Sequence, residues 1–167
     1  MAKTSTGITQ EEQEKYFNDA CENVRKHAFY MQQQLDSENL HDALRHASTM
    51  INELRTSKLY PTRYYEVYMN VTSQLSHLES YIMSEYRKKC NTDEIKANEW
   101  LKELYNRVQF CGNIVPRLYL LITVGSVCVK VNKKEQNEVM NILFDLVNLT
   151  KGVQHPTRGL FLRNYLG

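Results

Sequence analysis

The segment LHDALRHASTMINEL, residues 40–54, decides the fold. Its apolar residues Leu40, Ala43, Leu44, Ala47, Met50, Ile51 and Leu54 advance by three and four. That step lines them up as one stripe on a helix of about four turns. Just ahead of it, Asp36, Ser37 and Asn39 are the short polar types that cap a helix start.

The same step recurs on both sides. Upstream, Phe17, Cys21, Val24, Ala28, Met31 and Leu35 form a first helical run, and residues 1–9 read as a small, polar, disordered tail. Downstream, Pro61 opens a third helix with the stripe Tyr64, Val67, Tyr68, Val71, Leu75, Leu78 and Ile82. Proline suits that first turn because its missing N–H has no helical partner there. The charged segment from Arg87 to Lys96 has no apolar period and reads as a loop, with Thr92, Asp93 and Glu94 as a helix start. A fourth helix carries Trp100, Leu101, Leu104, Val108 and Cys111, and Gly112 with Asn113 suits its end. Pro116 is read as the start of a fifth, very apolar helix, followed by a turn at Asn132, Lys133 and Lys134. A sixth shows Val139, Ile142, Leu143, Leu146 and Val147 and stops at Gly152. Pro156 begins a seventh with Leu160, Phe161, Tyr165 and Leu166, whose apolar face is expected to stay unpaired.

Residues 10–167 are therefore expected to be all-α, about seven helices in antiparallel pairs of roughly 45–50 residues that stack as an α-solenoid. A terminal repeat normally has a polar outer face. The apolar last helix thus points to a piece cut from a longer scaffold.

Composition agrees with this. The chain has 167 residues, 42% of them hydrophobic, with only three prolines and six glycines. Its net charge is +2, from 21 basic and 19 acidic residues, which offers no nucleic-acid footprint. Cys21, Cys90, Cys111 and Cys128 are widely spaced and read as reduced thiols. The apolar run Leu118 to Val129 is too short for a membrane span, which needs about 20 residues, and reads as a buried core helix.

No catalytic pattern emerges, and the chain is not read as an enzyme. Solvated helix faces account for the carboxylate pairs. His41 and His46 are not at the four-residue step of a zinc-binding helix, and no cysteine joins them at ligand spacing. No phosphate loop or nucleophile elbow is present, so no cofactor or metal is expected. Gly125 and Ser126 lie in the apolar helix, where close helix packing explains a small residue. The crowded Tyr60, Tyr64, Tyr65 and Tyr68 fit either an interaction surface or, better, the filling between helix pairs.

Arg117 is the unusual residue. A cation in the first turn of a helix opposes the macrodipole, and this one also abuts the most apolar stretch. It needs a specific anionic or carbonyl partner, either inside the chain or on another protein.

Three blocks carry a resemblance. They are residues 112–125, GNIVPRLYLLITVG; residues 152–166, GVQHPTRGLFLRNYL; and residues 43–57, ALRHASTMINELRTS, with Tyr64, Tyr65 and Glu66 beyond. Together they make the stretch from about residue 11 to 166 similar to the N-terminal region of the vacuolar protein sorting-associated protein 35 family, the large retromer subunit. Thr157 stands where that family usually has an apolar residue, and the charged stretch from Cys90 to Asn98 looks longer than the family's loop.

The resemblance implies a HEAT-like α-solenoid. It implies that Pro116, Arg117, Leu118, Tyr119 and Leu120 help bind an arrestin-like partner, vacuolar protein sorting-associated protein 26. It also implies an assembly that sorts transmembrane cargo, with possible contacts to cargo tails, and that sorting nexins and a Rab GTPase bring to endosomes. The chain itself would be cytoplasmic and peripheral, its membrane contact indirect. The competing expectation is a helical adaptor domain that binds membrane lipids directly, which needs a basic cluster beyond pairs such as Lys88-Lys89 and Lys133-Lys134.

Overall fold

A computed structural model describes residues 7–132 and 136–167. The described residues form seven α-helices and no strand: α1 (Gln10–Asp36), α2 (Leu40–Ile51), α3 (Pro61–Thr92), α4 (Glu94–Val108), α5 (Ile114–Val131), α6 (Gln136–Lys151) and α7 (Pro156–Leu166). The all-α reading holds. The disorder expected of residues 1–9 lies, for 1–6, outside the described residues, as do Lys133 and Lys134 of the expected turn.

Local chemistry sets the helix starts. Thr9 and Glu12 form a reciprocal capping box on α1, and Pro61 occupies the first turn of α3. Gln13 is buried at the start of α1. Its amide donates to the Lys58 carbonyl and accepts from the Tyr60 N–H at 3.0 Å, which ties α1 to the segment entering α3.

Three boundaries differ from the sequence reading. The stripe begun at Leu40 ends its α-helix at Ile51, and its last turn, Asn52–Arg55, tightens into a 3-10 helix that keeps Leu54 buried. The run from Arg87 to Lys96 is no loop: α3 continues to Thr92, and Asp93 alone separates it from α4. Tyr86 is buried there, and the Lys89 ammonium sits 5.3 Å from the centre of the Trp100 ring. Long polar side chains are good helix formers, and packing on α4 supplies what periodicity lacks. Asp93 then caps α4, its Oδ1 accepting from the N–H groups of Ile95 and Lys96 at 3.0 and 3.2 Å. Finally, α5 starts at Ile114, two residues before Pro116. A proline in the third helical position still costs no hydrogen bond.

The helix α5 is central. It packs against α2, α3, α4, α6 and α7. It is also the one helix among the described residues long and apolar enough to cross a membrane, yet 67% of it is buried inside the protein. Gly125 allows that crowding: a Cβ there would stand 2.9 Å from Leu146 Cδ1 and 3.5 Å from Tyr105 Cε2.

The sixth and seventh helices differ most from expectation. Of Val139, Ile142, Leu143, Leu146 and Val147, only Leu146 is fully buried. The helix is apolar on a second face as well, where Met140 and Phe144 are 63% and 67% exposed. On α7, by contrast, only Leu160 of the expected unpaired face is open, at 60% exposure. Phe161 packs on Tyr64, Tyr65 and Tyr68 of α3, with ring centroids 5.3, 5.8 and 4.9 Å away. Tyr165 shares a 2.8 Å hydrogen bond with the Thr123 hydroxyl, and Asn164 donates to the Tyr68 hydroxyl at 3.0 Å. The tyrosine cluster thus divides: Tyr64 and Tyr68 fill the core, while Tyr60 and Tyr65 are exposed.

Candidate functional site

The turn between α4 and α5 is built by Arg117. After Val108 the chain winds through Gln109, Phe110 and Cys111 and reverses at Gly112, whose φ of +40° is left-handed and suits glycine. Arg117 reaches back across this reversal. Its Nε donates to the Cys111 carbonyl at 3.3 Å and its Nη2 to the Gly112 carbonyl at 2.9 Å. Its partners are therefore internal carbonyls. Two carbonyl dipoles offset the unfavourable position of a cation in a first helical turn. Asn113 Nδ2 reaches Asn52 Oδ1 at 3.4 Å, so the same turn leans on the end of α2.

The other predicted site residues are placed differently. Pro116, Leu118, Tyr119 and Leu120 are all buried. The Tyr119 ring lies 5.2 Å from that of Tyr165, and burial holds its hydroxyl far above the ordinary tyrosine range. The five residues are contiguous and form one unit, but four of them offer no surface to another protein.

What the unit displays lies beside it. Phe110 is 85% exposed and Ile114 is 52% exposed, and both are held by the Arg117-braced turn. A cleft of about 350 Å³ adjoins Ile114, lined in part by Gln109, Ile114, Arg117, Asp145 and Leu149. Sequence reasoning missed Phe110. The available signal was a large aromatic residue that falls off the Leu101, Leu104, Val108 stripe just before a helix-ending glycine.

Among the described residues there is no cluster of three metal-ligating side chains. His27 and His46 do meet, Nδ1 to Nδ1 at 3.3 Å, on the contact between α1 and α2. Burial, His46 and Lys26 together hold the His27 pKa below its ordinary value.

Stacked helices, a core helix touched by five others and an apolar turn held out to solvent define a scaffold class of protein, one that works by contact. Comparison with known proteins narrows the class. The family model for vacuolar protein sorting-associated protein 35 matches residues 16–167. Vacuolar protein sorting-associated protein 35A of Arabidopsis thaliana is 45% identical over 156 residues, which is 93% of this chain and 18% of the relative. Vacuolar protein sorting-associated protein 35 of Dictyostelium discoideum is 46% identical over 157 residues, covering 94% and 18%. That of Schizosaccharomyces pombe is 41% identical over 136 residues, covering 81% and 15%. The chain belongs to the vacuolar protein sorting-associated protein 35 family. That is a family of protein sorting, not of catalysis. The chain spans less than a fifth of the length of these relatives.

Proposed function

We propose that this chain is the N-terminal part of a retromer scaffold and that its α4–α5 turn docks the arrestin-like subunit, vacuolar protein sorting-associated protein 26. The observation that carries this reading is the Arg117 brace, which fixes an otherwise irregular turn and so presents Phe110 and Ile114 in one arrangement. Ordering the loop in advance lowers the entropic cost of binding. In this reading Pro116, Arg117, Leu118, Tyr119 and Leu120 act as positioning residues, and the exposed aromatic is the anchor. The whole assembly would sort transmembrane cargo at endosomes. The chain would sit on the cytoplasmic side, recruited through sorting nexins and a Rab GTPase and not through lipid.

Charge pairing supports that last point. Lys88, Lys102, Arg107 and Lys130 each pair with a carboxylate, so these cations are not spare for anionic headgroups.

The test is calorimetric titration of the chain with the arrestin-like subunit. Phe110→Ala should weaken binding by about thirtyfold, the loss typical of a central aromatic anchor. Unchanged affinity in a folded Phe110→Ala variant would refute the proposed surface. Equal sedimentation with anionic liposomes in the absence of any protein partner would refute indirect recruitment.

A further inference from the structure

The seam between α1 and α2 brings together two histidines that stand 19 residues apart in the chain. Spacing within one helix sets His46 against His41 and finds no metal pattern, because its real neighbour, His27, lies on the other helix. Asn23 of α1 donates to Glu53, just past α2, at 3.1 Å, while His27, later in α1, meets His46, earlier in α2. The two helices therefore run antiparallel, and their contact fixes the pair. The Nδ1 atoms are 3.3 Å apart, and both residues are half-buried, so the edge of the seam is open to an ion from solvent. The Tyr30 ring packs beside both, its centroid 5.4 Å from that of His46 and 6.2 Å from that of His27.

A neutral imidazole carries one N–H and one bare nitrogen. Two facing Nδ1 atoms can share a proton, but only if one ring takes the Nδ1–H tautomer and the other does not. A metal ion removes that condition: both Nδ1 atoms then act as bare ligands, and both N–H groups sit on Nε2.

The spacing selects the geometry. With Zn–N bonds of about 2.0–2.1 Å, tetrahedral coordination sets two nitrogens about 3.3–3.4 Å apart, and square or octahedral coordination about 2.8–3.0 Å. The observed 3.3 Å is a tetrahedral edge. Imidazole nitrogen also selects against magnesium and calcium, which take oxygen ligands. Two features limit the affinity. Among the described residues the pair belongs to no cluster of three ligating side chains, and the Lys26 ammonium beside His27 works against a dication.

We propose that His27 and His46 form a two-histidine site for a zinc ion, which they bind through their Nδ1 atoms and which clasps α1 to α2, with water in its other positions. The site is exchangeable and not a permanent structural centre. It is separate from the α4–α5 turn and does not depend on the partner proposed there.

The test is a zinc titration of the ¹⁵N-labelled chain at about pH 7.5, freed of metal with EDTA beforehand and read through the histidine ring nitrogens. One-to-one saturation should shift the Nδ1 signals of His27 and His46 together, and magnesium should move neither. His27→Gln and His46→Gln should each weaken zinc at least about tenfold, the low end of what losing even an outer-shell partner costs. His41→Gln, at an exposed position of the same helix as His46, should leave binding unchanged. Zinc should raise the melting temperature of the parent chain more than that of either variant at position 27 or 46. Ring signals that stay unmoved under excess zinc would leave the pair a hydrogen bond only and overturn the proposal. Undiminished zinc binding by either folded variant, or an equal response to magnesium, would overturn it as well. The parent-chain spectra decide the matter even where a variant fails to fold.

Discussion

Arg117 Nη2 donates to the carbonyl of Gly112 at 2.9 Å, so the first turn of α5 holds in place the turn that leads into it. A residue whose position opposes the helix dipole is kept there by the carbonyls it satisfies. This makes Arg117 and Phe110 separable. Arg117→Ala should cost about 1–2 kcal/mol of stability, the worth of a charge-assisted hydrogen bond in a half-exposed place. Phe110→Ala should leave the melting temperature nearly unchanged, within about 0.5 kcal/mol. Both should weaken the arrestin-like subunit. Calorimetric melts of the two variants check this, and equal destabilisation would count against the division of roles.

Phe161 is the residue that docks α7. Its ring contacts three tyrosines of α3, and its truncation should cost about 2–4 kcal/mol. Amide exchange across residues 156–166 should quicken in Phe161→Ala. Leu160→Ala, at an open position, should leave it unchanged.

Gly125 tests how tightly α4 and α6 close over α5. An alanine gains about 1 kcal/mol of helix propensity there, but its methyl must displace the end of Leu146, and overpacking costs about 1–3 kcal/mol. Gly125→Ala should therefore be mildly destabilising. Gly125→Val should be much worse, because it also presses on Tyr105. A melting temperature raised by valine would show that the walls are loose.

The contact of His27 with His46 predicts a pH dependence. The folded His27 pKa lies below its ordinary value of 6.5, so the unfolded chain takes up its proton first as pH falls. Stability from this group is complete above that value and declines as pH drops through it towards the folded pKa. Melts at about pH 7.5 and about pH 5.5 should show a loss that His27→Gln reduces. An identical loss in the variant would assign the effect to other groups.

The outer face of α6 should be substitutable. Phe144→Ser removes an aromatic group that the fold leaves two-thirds exposed, so stability should hold within about 0.5 kcal/mol. Binding of a hydrophobic dye should fall at the same time. A large drop in melting temperature would show that Phe144 is packed in solution.

The stripes on α1, α2 and α3 were legible because spacing by three and four is a property of the local chain, and the buried Met31, Met50 and Leu75 lie on them. The small residue at Gly125 was legible for the same reason. The continuation of α3 through Arg87 to Thr92 was not, since a helix without an apolar period is stabilised by what it packs on. Phe110 was missed because the stripes mark what a helix buries, and its one signal was to fall off the stripe of Leu101, Leu104 and Val108.

By itself, the sequence determined that the chain is all helix, roughly where each helix lies, and which family it joins, because backbone hydrogen bonding and side-chain period are settled within a few residues. Only the tertiary structure decided which side of the choice Arg117 took, and that the apolar face left open belongs to α6 and not to α7. Burial of Phe161 depends on Tyr64, nearly a hundred residues away in the chain. No local spacing records that meeting; it follows from how five helices close around α5.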